Sequence, residues 1–240
     1  MSANRILAFS SSRAGNSGYL ETALPVIKDF LGETVLKIAF IPFASVDNDY
    51  QAYAALVKKA LASLGHVPEP VTPGNARSVI ERADIVMTGG GNTFKLLHDL
   101  YELDLLDVIR DKINSGAPYI GWSAGSNITG LTIATTNDMP VIEPQSFKAL
   151  GFLPFQINPH YTNAKPAGHN GETRDQRLTE FIKMNPGVPV VCLPEGTALK
   201  MEDGRLRFIG ISPGVLFSTG ADKNIVRKEI SVNQDLSFLL

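Results

Sequence analysis

The stretch Gly121-Trp122-Ser123-Ala124-Gly125-Ser126-Asn127 follows a short apolar run, Pro118-Tyr119-Ile120, that is typical of the end of a buried strand. It fits Gly-x-Ser-x-Gly, the pattern of a nucleophile elbow between a strand and a helix. A serine on so sharp a turn needs neighbours with little or no side chain. Its hydroxyl then projects from the fold at a helix N-terminus, where the next backbone N–H can face a developing oxyanion. The stretch therefore predicts a nucleophile at Ser123, the alternative being an ordinary glycine-rich turn.

The residues that surround this stretch alternate between strand and helix patterns. Continuous apolar runs are typical of strands covered on both faces, and they occupy residues 6–9, 35–43, 85–87 and 118–122. Helical patterns occupy residues 19–31, 50–64, 96–100 and 105–113, with Asp47 as the expected N-cap of the second helix. This alternation predicts a doubly wound, mostly parallel α/β sheet with helices on both faces.

The second half of the chain departs from that rhythm. Strand-like segments at residues 141–143, 155–158 and 188–193 are separated by long polar connections, among them a loop over residues 161–174. A helix is predicted over residues 174–183, and a hairpin over residues 199–209 turns at Asp203-Gly204, a strong turn signal. Because no linker, repeat or low-complexity tract interrupts the chain, residues 1–240 are expected to form one α/β domain.

Composition narrows the classes of function. Hydrophobic residues make up 44% of the chain and charged residues 19%, so a full core is expected. The net charge is −2 and the charges are interspersed, which argues against a nucleic-acid partner and a membrane surface. The one cysteine, Cys192, lies in an apolar run and is expected to be buried. A chain without a cysteine pair, a signal peptide or a long apolar run is expected in the cytoplasm.

Three turns are expected at the carboxyl ends of strands, where open α/β sheets bind ligands. One is the elbow. Residues 88–94 contain Gly89-Gly90-Gly91, whose unhindered N–H groups suit the other half of an oxyanion hole, or simply a flexible turn with an Asn or Thr cap. Residues 10–18 are rich in serine and resemble a flavodoxin-type phosphate loop, although an ordinary polar loop is favoured.

A nucleophilic serine needs a base, usually histidine, and a group that orients the base. Of four histidines, His160 follows an expected strand end and is favoured over His169, which lies in the polar loop. His66 is expected at the surface and His98 on a solvent-facing helix. Two carboxylates are candidate orienters: Glu195 at the end of another strand, and Asp138 before Pro140. Each has a structural alternative, a turn cap for Glu195 and an Asx turn for Asp138.

Taken together, these motifs resemble peptidase E, the α-aspartyl dipeptidase family of serine peptidases with a class I glutamine-amidotransferase-like, flavodoxin-like fold. The resemblance spreads over most of the chain and rests on residues 89–94, 121–127, 158–161, 171–174 and 193–196, which stand in the order of the family. It implies Ser123 as nucleophile, His160 as base and Glu195 as third member of the triad.

The same resemblance implies how substrate is held. The oxyanion hole would be formed by the amides of Gly90 and Ala124, and Asn92, in the same glycine motif, is expected to bind substrate as well. Arg174 would pair with the aspartate side chain of the substrate, a role that suits the bidentate geometry of a guanidinium. Asp138 would either support the histidine or hold the substrate's α-amine.

The expected function is therefore a serine dipeptidase that hydrolyses Asp-Xaa through an acyl-enzyme on Ser123, with no cofactor and no metal. A cyanophycinase-like aspartyl peptidase is a second reading, ranked lower because such elbows usually lack the tryptophan found here at position 122. A non-catalytic protein that binds a phosphorylated ligand at residues 10–18 is a third. A homodimer is left open.

Overall fold

The computed structural model describes residues 4–165, 167–168 and 170–240. Its elements, in chain order, are β1 (Ile6–Phe9), α1 (Leu24–Leu31), β2 (Lys37–Ile41), α2 (Tyr50–Ala60), β3 (Val67–Pro70), α3 (Ala76–Arg82), β4 (Ile85–Thr88), α4 (Thr93–Glu102), α5 (Leu106–Asn114), β5 (Tyr119–Trp122), α6 (Ala124–Asn127), β6 (Gln156–Asn158), α7 (Arg174–Met184), β7 (Val190–Cys192), β8 (Thr197–Glu202), β9 (Arg205–Gly210), β10 (Gly214–Thr219) and β11 (Ile225–Ile230).

Seven strands form a mixed, mostly parallel sheet in the order β3-β2-β4-β5-β1-β8-β9. The first five are mutually parallel, whereas β8 and β9 run antiparallel to their neighbours. Alternate residues of β1 enter two separate cores: Ile6 packs on one face and Leu7 on the other. Both faces are thus covered, which explains the continuous apolar runs. The predicted doubly wound α/β architecture is confirmed.

A second sheet of four strands, ordered β11-β10-β7-β6, places two further strand ends near the first sheet. Its strands β6 and β7 are parallel, with Asn158 opposite Cys192, so their carboxyl ends lie side by side. Cys192 is fully buried, as predicted. The helix α7 packs on this sheet through Leu178 and Ile182.

Several boundaries differ from the sequence predictions. The first helix begins at Leu24 rather than at residue 19, and Asp49 rather than Asp47 caps α2, through its bond from Ala52 N. Residues 141–143 form no strand: Val141 and Ile142 lie in a bend, and Val141 and Glu143 are exposed. The strand β3 was missed because its sequence, Val-Pro-Glu-Pro, carries two prolines, which only an edge strand tolerates.

The hairpin prediction is confirmed, since β8 and β9 pair around Asp203-Gly204, both with positive φ. By contrast, α3, β10 and β11 were not predicted. The strand β11 is exposed along most of its length, so it lacks the apolar alternation that would reveal it. Within the described ranges, every helix is too short or too polar to cross a bilayer.

Candidate active site

Ser123 lies on a sharp turn between β5 and α6, with φ +54° and ψ −114°, which is the backbone geometry that a nucleophile elbow requires. Neighbouring glycines make this turn possible. A Cβ on Gly121 would collide with the carbonyl group of Gly125, and a Cβ on Gly125 would collide with the carbonyl group of Thr88. The hydroxyl of Ser126 closes the turn by donating to Phe9 O at 2.6 Å.

Because β5 lies between β4 and β1, three carboxyl ends converge at this point. The glycine turn after β4 packs directly on the nucleophile: a Cβ on Gly90 would lie 2.9 Å from Cβ of Ser123. In the part of the chain that the structure describes, neither the Gly90 amide nor the Ala124 amide donates a hydrogen bond to protein. Two backbone donors beside Ser123 are therefore left for a ligand.

The second sheet supplies a histidine and a carboxylate to Ser123. His160, which follows β6, brings Nε2 to 2.9 Å from Ser123 Oγ. Its Nδ1 lies 2.9 Å from Oε1 of Glu195, which follows β7. His160 itself has φ +50°, a conformation that side-chain-bearing residues rarely adopt. The geometry is that of a Ser-His-acid triad.

Ser10 is a residue of this site that the sequence analysis missed. Its fully buried hydroxyl accepts a hydrogen bond from His160 N at 2.9 Å and donates one to Leu193 O at 2.7 Å. One side chain at the end of β1 thus joins the segments that carry the histidine and the carboxylate. The signal in the sequence was its position directly after a buried strand, in a segment for which an ordinary polar loop was favoured and a phosphate loop was the alternative.

The phosphate-loop alternative has no support in the geometry of residues 10–18. Two hydroxyls of this loop bond within it: Ser11 Oγ donates to Arg13 O, and Ser17 Oγ accepts from Ala14 N at 2.9 Å. The hydroxyl of Ser10 is engaged by Leu193 and His160. The carboxylate of Glu21 accepts a hydrogen bond from Gly18 N, so this amide is not available to bind a phosphate. Since α1 begins only at Leu24, its N-terminus does not directly follow the loop.

Asp138 is held by the start of α4 rather than by the histidine. Its Oδ2 accepts hydrogen bonds from Thr93 N at 2.7 Å, from Thr93 Oγ1 at 2.5 Å and from Thr136 Oγ1 at 3.1 Å. All three reach the same oxygen. Asn92, in contrast, caps α4 by accepting from Lys95 N and donates to Met139 O at 2.8 Å. Both polar groups of Asn92 are thus already engaged in bonds within the protein.

A pocket of about 230 Å³ joins several of these groups; its lining consists of Thr93, Ser123, Ala124, Thr136, Asn137, Asp138, Pro159, His160 and Arg174. Arg174 is the first residue of α7, whose capping box of Thr173 and Gln176 fixes the helix start. Its Nη1 is buried and has no hydrogen-bond partner among residues 4–165, 167–168 and 170–240. Burial, and then the charge of Arg177, lowers the pKa of Arg174.

None of the other three histidines, His66, His98 and His169, is seen in contact with Ser123 in the described part of the chain. The prediction that His66 is at the surface is wrong: it is buried, its Nδ1 accepts from Leu36 N at 3.3 Å, and burial lowers its pKa. His98 Nδ1 lies 3.0 Å from Glu143 O on another part of the surface. His169 lies outside the described residues. No group of three His, Cys, Asp or Glu in the described ranges could hold a metal ion.

Comparison with known proteins gives one consistent family. The sequence model described as peptidase family S51 matches residues 6–209. A protein from Nostoc sp. named peptidase E is 49% identical over 237 residues, covering 98% of this chain and 96% of its own length. Another peptidase E, from Shewanella denitrificans, is 50% identical over 212 residues, which is 88% of this chain and 90% of the relative.

Solved structures agree with the fold. A candidate peptidase E protein from Listeria monocytogenes EGD-e has 25% identity and a TM-score of 0.69, covering 87% of this chain and 99% of its own. A peptidase from an acI-B1 Actinobacterium covers 99% of this chain and 98% of its own, with a TM-score of 0.67. Because its identity is 16%, this second likeness concerns the fold alone.

Proposed function

This chain belongs to peptidase family S51 and is a serine dipeptidase, and from that premise we propose that it removes an N-terminal aspartate from dipeptides through an acyl-enzyme on Ser123. The observation that carries the substrate proposal is the shared pocket of Ser123, Asp138 and Arg174. An aspartyl dipeptide presents an ammonium and a carboxylate close to its scissile carbonyl. A pocket with one carboxylate and one guanidinium beside a nucleophile is complementary to that pair.

The chemistry begins with attack of Ser123 Oγ on the scissile carbonyl while His160 Nε2, at 2.9 Å, takes the hydroxyl proton. Glu195 stabilises the imidazolium through Nδ1. The amides of Gly90 and Ala124 bind the oxyanion of the tetrahedral intermediate. His160 then returns the proton to the leaving amine, and water, deprotonated by the same histidine, hydrolyses the acyl-enzyme and releases aspartate.

Arg174 binds the side-chain carboxylate of the substrate's N-terminal aspartate and so sets the specificity. A buried guanidinium nitrogen without a partner loses solvation without regaining a hydrogen bond, which is costly. A carboxylate that enters the pocket restores that bond, whereas a neutral amide restores it less well. Asp138 holds the α-ammonium: Oδ2 accepts from Thr93 and Thr136, whereas Oδ1 accepts no hydrogen bond from any residue that the structure describes. This arrangement requires a free N-terminus and so favours exopeptidase action.

A dipeptide panel tests this substrate class. We expect Asp-Leu to be cleaved, and Asn-Leu to have a kcat/KM lower by roughly two orders of magnitude, because it leaves Arg174 without its charged partner. Glu-Leu should fail, since one more methylene misplaces the carbonyl relative to Ser123. A chelator should change none of these rates. Preferred cleavage of β-linked Asp-Leu would instead favour the cyanophycinase-like reading.

The roles of Glu195 and Asp138 are separable by kinetics. We expect Glu195→Gln to lower kcat with little change in KM, because it weakens stabilisation of an imidazolium that forms only in the transition state. We expect Asp138→Asn to raise KM as well, because it removes the charge that pairs with the substrate amine. Steady-state kinetics on Asp-Leu distinguish the two, and the opposite pattern would exchange the assignments.

A further inference from the structure

The hydroxyl of Tyr53, on α2, joins the two segments that flank the nucleophile. It donates to Gly90 O at 3.0 Å and accepts from Trp122 Nε1 at 3.2 Å. The hydroxyl of Tyr19 lies 3.2 Å away. Gly90 belongs to the glycine turn after β4, and Trp122 is the residue directly before Ser123. One oxygen atom therefore joins the turn that carries the Gly90 amide to the residue that precedes the nucleophile.

The chemistry of these groups fixes the direction of each hydrogen bond. A carbonyl oxygen can only accept, and an indole N–H can only donate. Tyr53 must therefore donate its one O–H hydrogen bond to Gly90 O and accept a hydrogen bond from Trp122 Nε1. The hydroxyl of Tyr19 is then a second donor to the Tyr53 oxygen. The one donor and both acceptor positions of the Tyr53 hydroxyl are thus occupied. Burial raises the pKa of Tyr53, so the group stays protonated and remains a donor.

The glycine turn depends on contacts from outside because its own residues restrain it weakly. A Cβ on Gly89 would lie 2.5 Å from Tyr53 Oη, and a Cβ on Gly90 would lie 2.9 Å from Cβ of Ser123. The turn is thus held between the tyrosine and the elbow. Tyr53 provides the only side-chain hydrogen bond to Gly89, Gly90 or Gly91 within the described residues.

Tyr53 is itself held rigidly. Its ring packs edge-on against Phe40, with centroids 5.0 Å apart at an interplanar angle of 85°, and Phe40 stacks on Trp122 at 5.9 Å and 11°. Oxyanion donors accelerate a reaction only if they are oriented before charge develops, so a fixed support behind them contributes to the transition state.

We propose that Tyr53 is a positioning residue that sets the distance and orientation between the Gly90 amide and the elbow, and so pre-organises the oxyanion hole. The inference rests on the proposed function, because it takes Gly90 as an oxyanion donor. Tyr53 touches no substrate atom in this scheme. Its effect is expected on kcat and on reactivity toward tetrahedral reagents, not on KM.

The test compares Tyr53→Phe, which removes one oxygen atom, with Tyr50→Phe as a matched control. Tyr50 lies on the same helix. Its hydroxyl donates to Asn48 Oδ1 at 2.8 Å and lies 3.4 Å from both Lys95 Nζ and Asp99 Oδ2, and in the described part of the chain it makes no hydrogen bond to residues 89–91. For Tyr53→Phe we expect kcat on Asp-Leu to fall about tenfold, less than the loss of an oxyanion donor itself, with KM within about twofold. Labelling of Ser123 by a fluorophosphonate, followed by intact mass, should slow by a similar factor.

Tyr50→Phe should leave both rates within about twofold of wild type, and thermal unfolding should show both variants folded. Unchanged rates in Tyr53→Phe, an effect on KM alone, or an equal loss in Tyr50→Phe would overturn the proposal. Wild-type protein that labels at Ser123 without cleaving Asp-Leu would refute the substrate assignment, while the labelling rates would still decide the role of Tyr53. Failure of wild-type Ser123 to label would overturn both.

Discussion

Ser123→Ala should lower kcat for Asp-Leu by a factor on the order of 10³ or more, because it removes the oxygen atom that attacks the scissile carbon and forms the acyl-enzyme in the proposed mechanism. What remains would reflect binding and the oxyanion hole. The fold should survive, since among the described residues the side chain of Ser123 makes a hydrogen bond only to His160. The measurement is kcat by release of leucine, with thermal unfolding as the check on folding.

His160→Ala should be comparably inactive, because members of a triad act as a unit and their losses are not additive. His169→Ala provides the control, since His169 was the alternative base in the sequence. Hydrolysis by Ser123→Ala at near the wild-type rate would contradict the proposed nucleophile. Loss of activity in His169→Ala together with retained activity in His160→Ala would contradict the assignment of His160 as the base.

Arg174→Ala should lower kcat/KM for Asp-Leu by roughly 10²-fold and bring it close to the rate for Asn-Leu. The preference for Asp-Leu should disappear because its kcat/KM falls, whereas kcat/KM for Asn-Leu changes little. The neutral side chain of Asn-Leu gains little from the guanidinium even in the wild-type enzyme. Arg174→Lys should restore only part of the rate, since an ammonium lacks the planar fork that holds a carboxylate by two hydrogen bonds. The measurement is the ratio of kcat/KM for the two dipeptides.

Arg177→Ala is the matched control for this experiment. Arg177 lies three residues further along α7, is exposed, and pairs loosely with Glu172 at 3.8 Å. Its removal should leave the Asp-over-Asn ratio unchanged. Full aspartate selectivity in Arg174→Ala would show that another cation, Arg177 or the exposed Lys165, reads the side chain, and would remove the substrate assignment proposed for Arg174.

Tyr53 illustrates a kind of residue that sequence patterns do not reveal. On α2 it occupies a partly buried helix position, which by itself indicates only core packing. Its contact with Gly90 spans 37 residues and its contact with Trp122 spans 69. Both contacts exist because β4 and β5 are adjacent in the sheet and α2 covers that face.

The sequence by itself determined the features that depend on a few neighbouring residues. The buried strands, the glycine-bordered elbow at Ser123 and the hairpin turn at Asp203-Gly204 follow from local sterics and periodicity. Two of its errors were also local: the start of α1 and the cap of α2 were assigned from weak signals at segment ends, where competing turn and cap geometries differ little in energy. The strand expected at residues 141–143 rested on three residues only. The burial of His66, in contrast, depends on packing that no local signal shows.

Only the tertiary structure decided which distant groups meet. Ser123 and His160 are 37 residues apart, His160 and Glu195 are 35 apart, and Ser10 and His160 are 150 apart. Strand order and register bring these pairs within hydrogen-bond distance, and both depend on the packing of whole faces rather than on any short segment. For the same reason, the sequence left Asp138 and Glu195 as rival orienters of the histidine, whereas the fold turns one carboxylate toward α4 and the other toward His160.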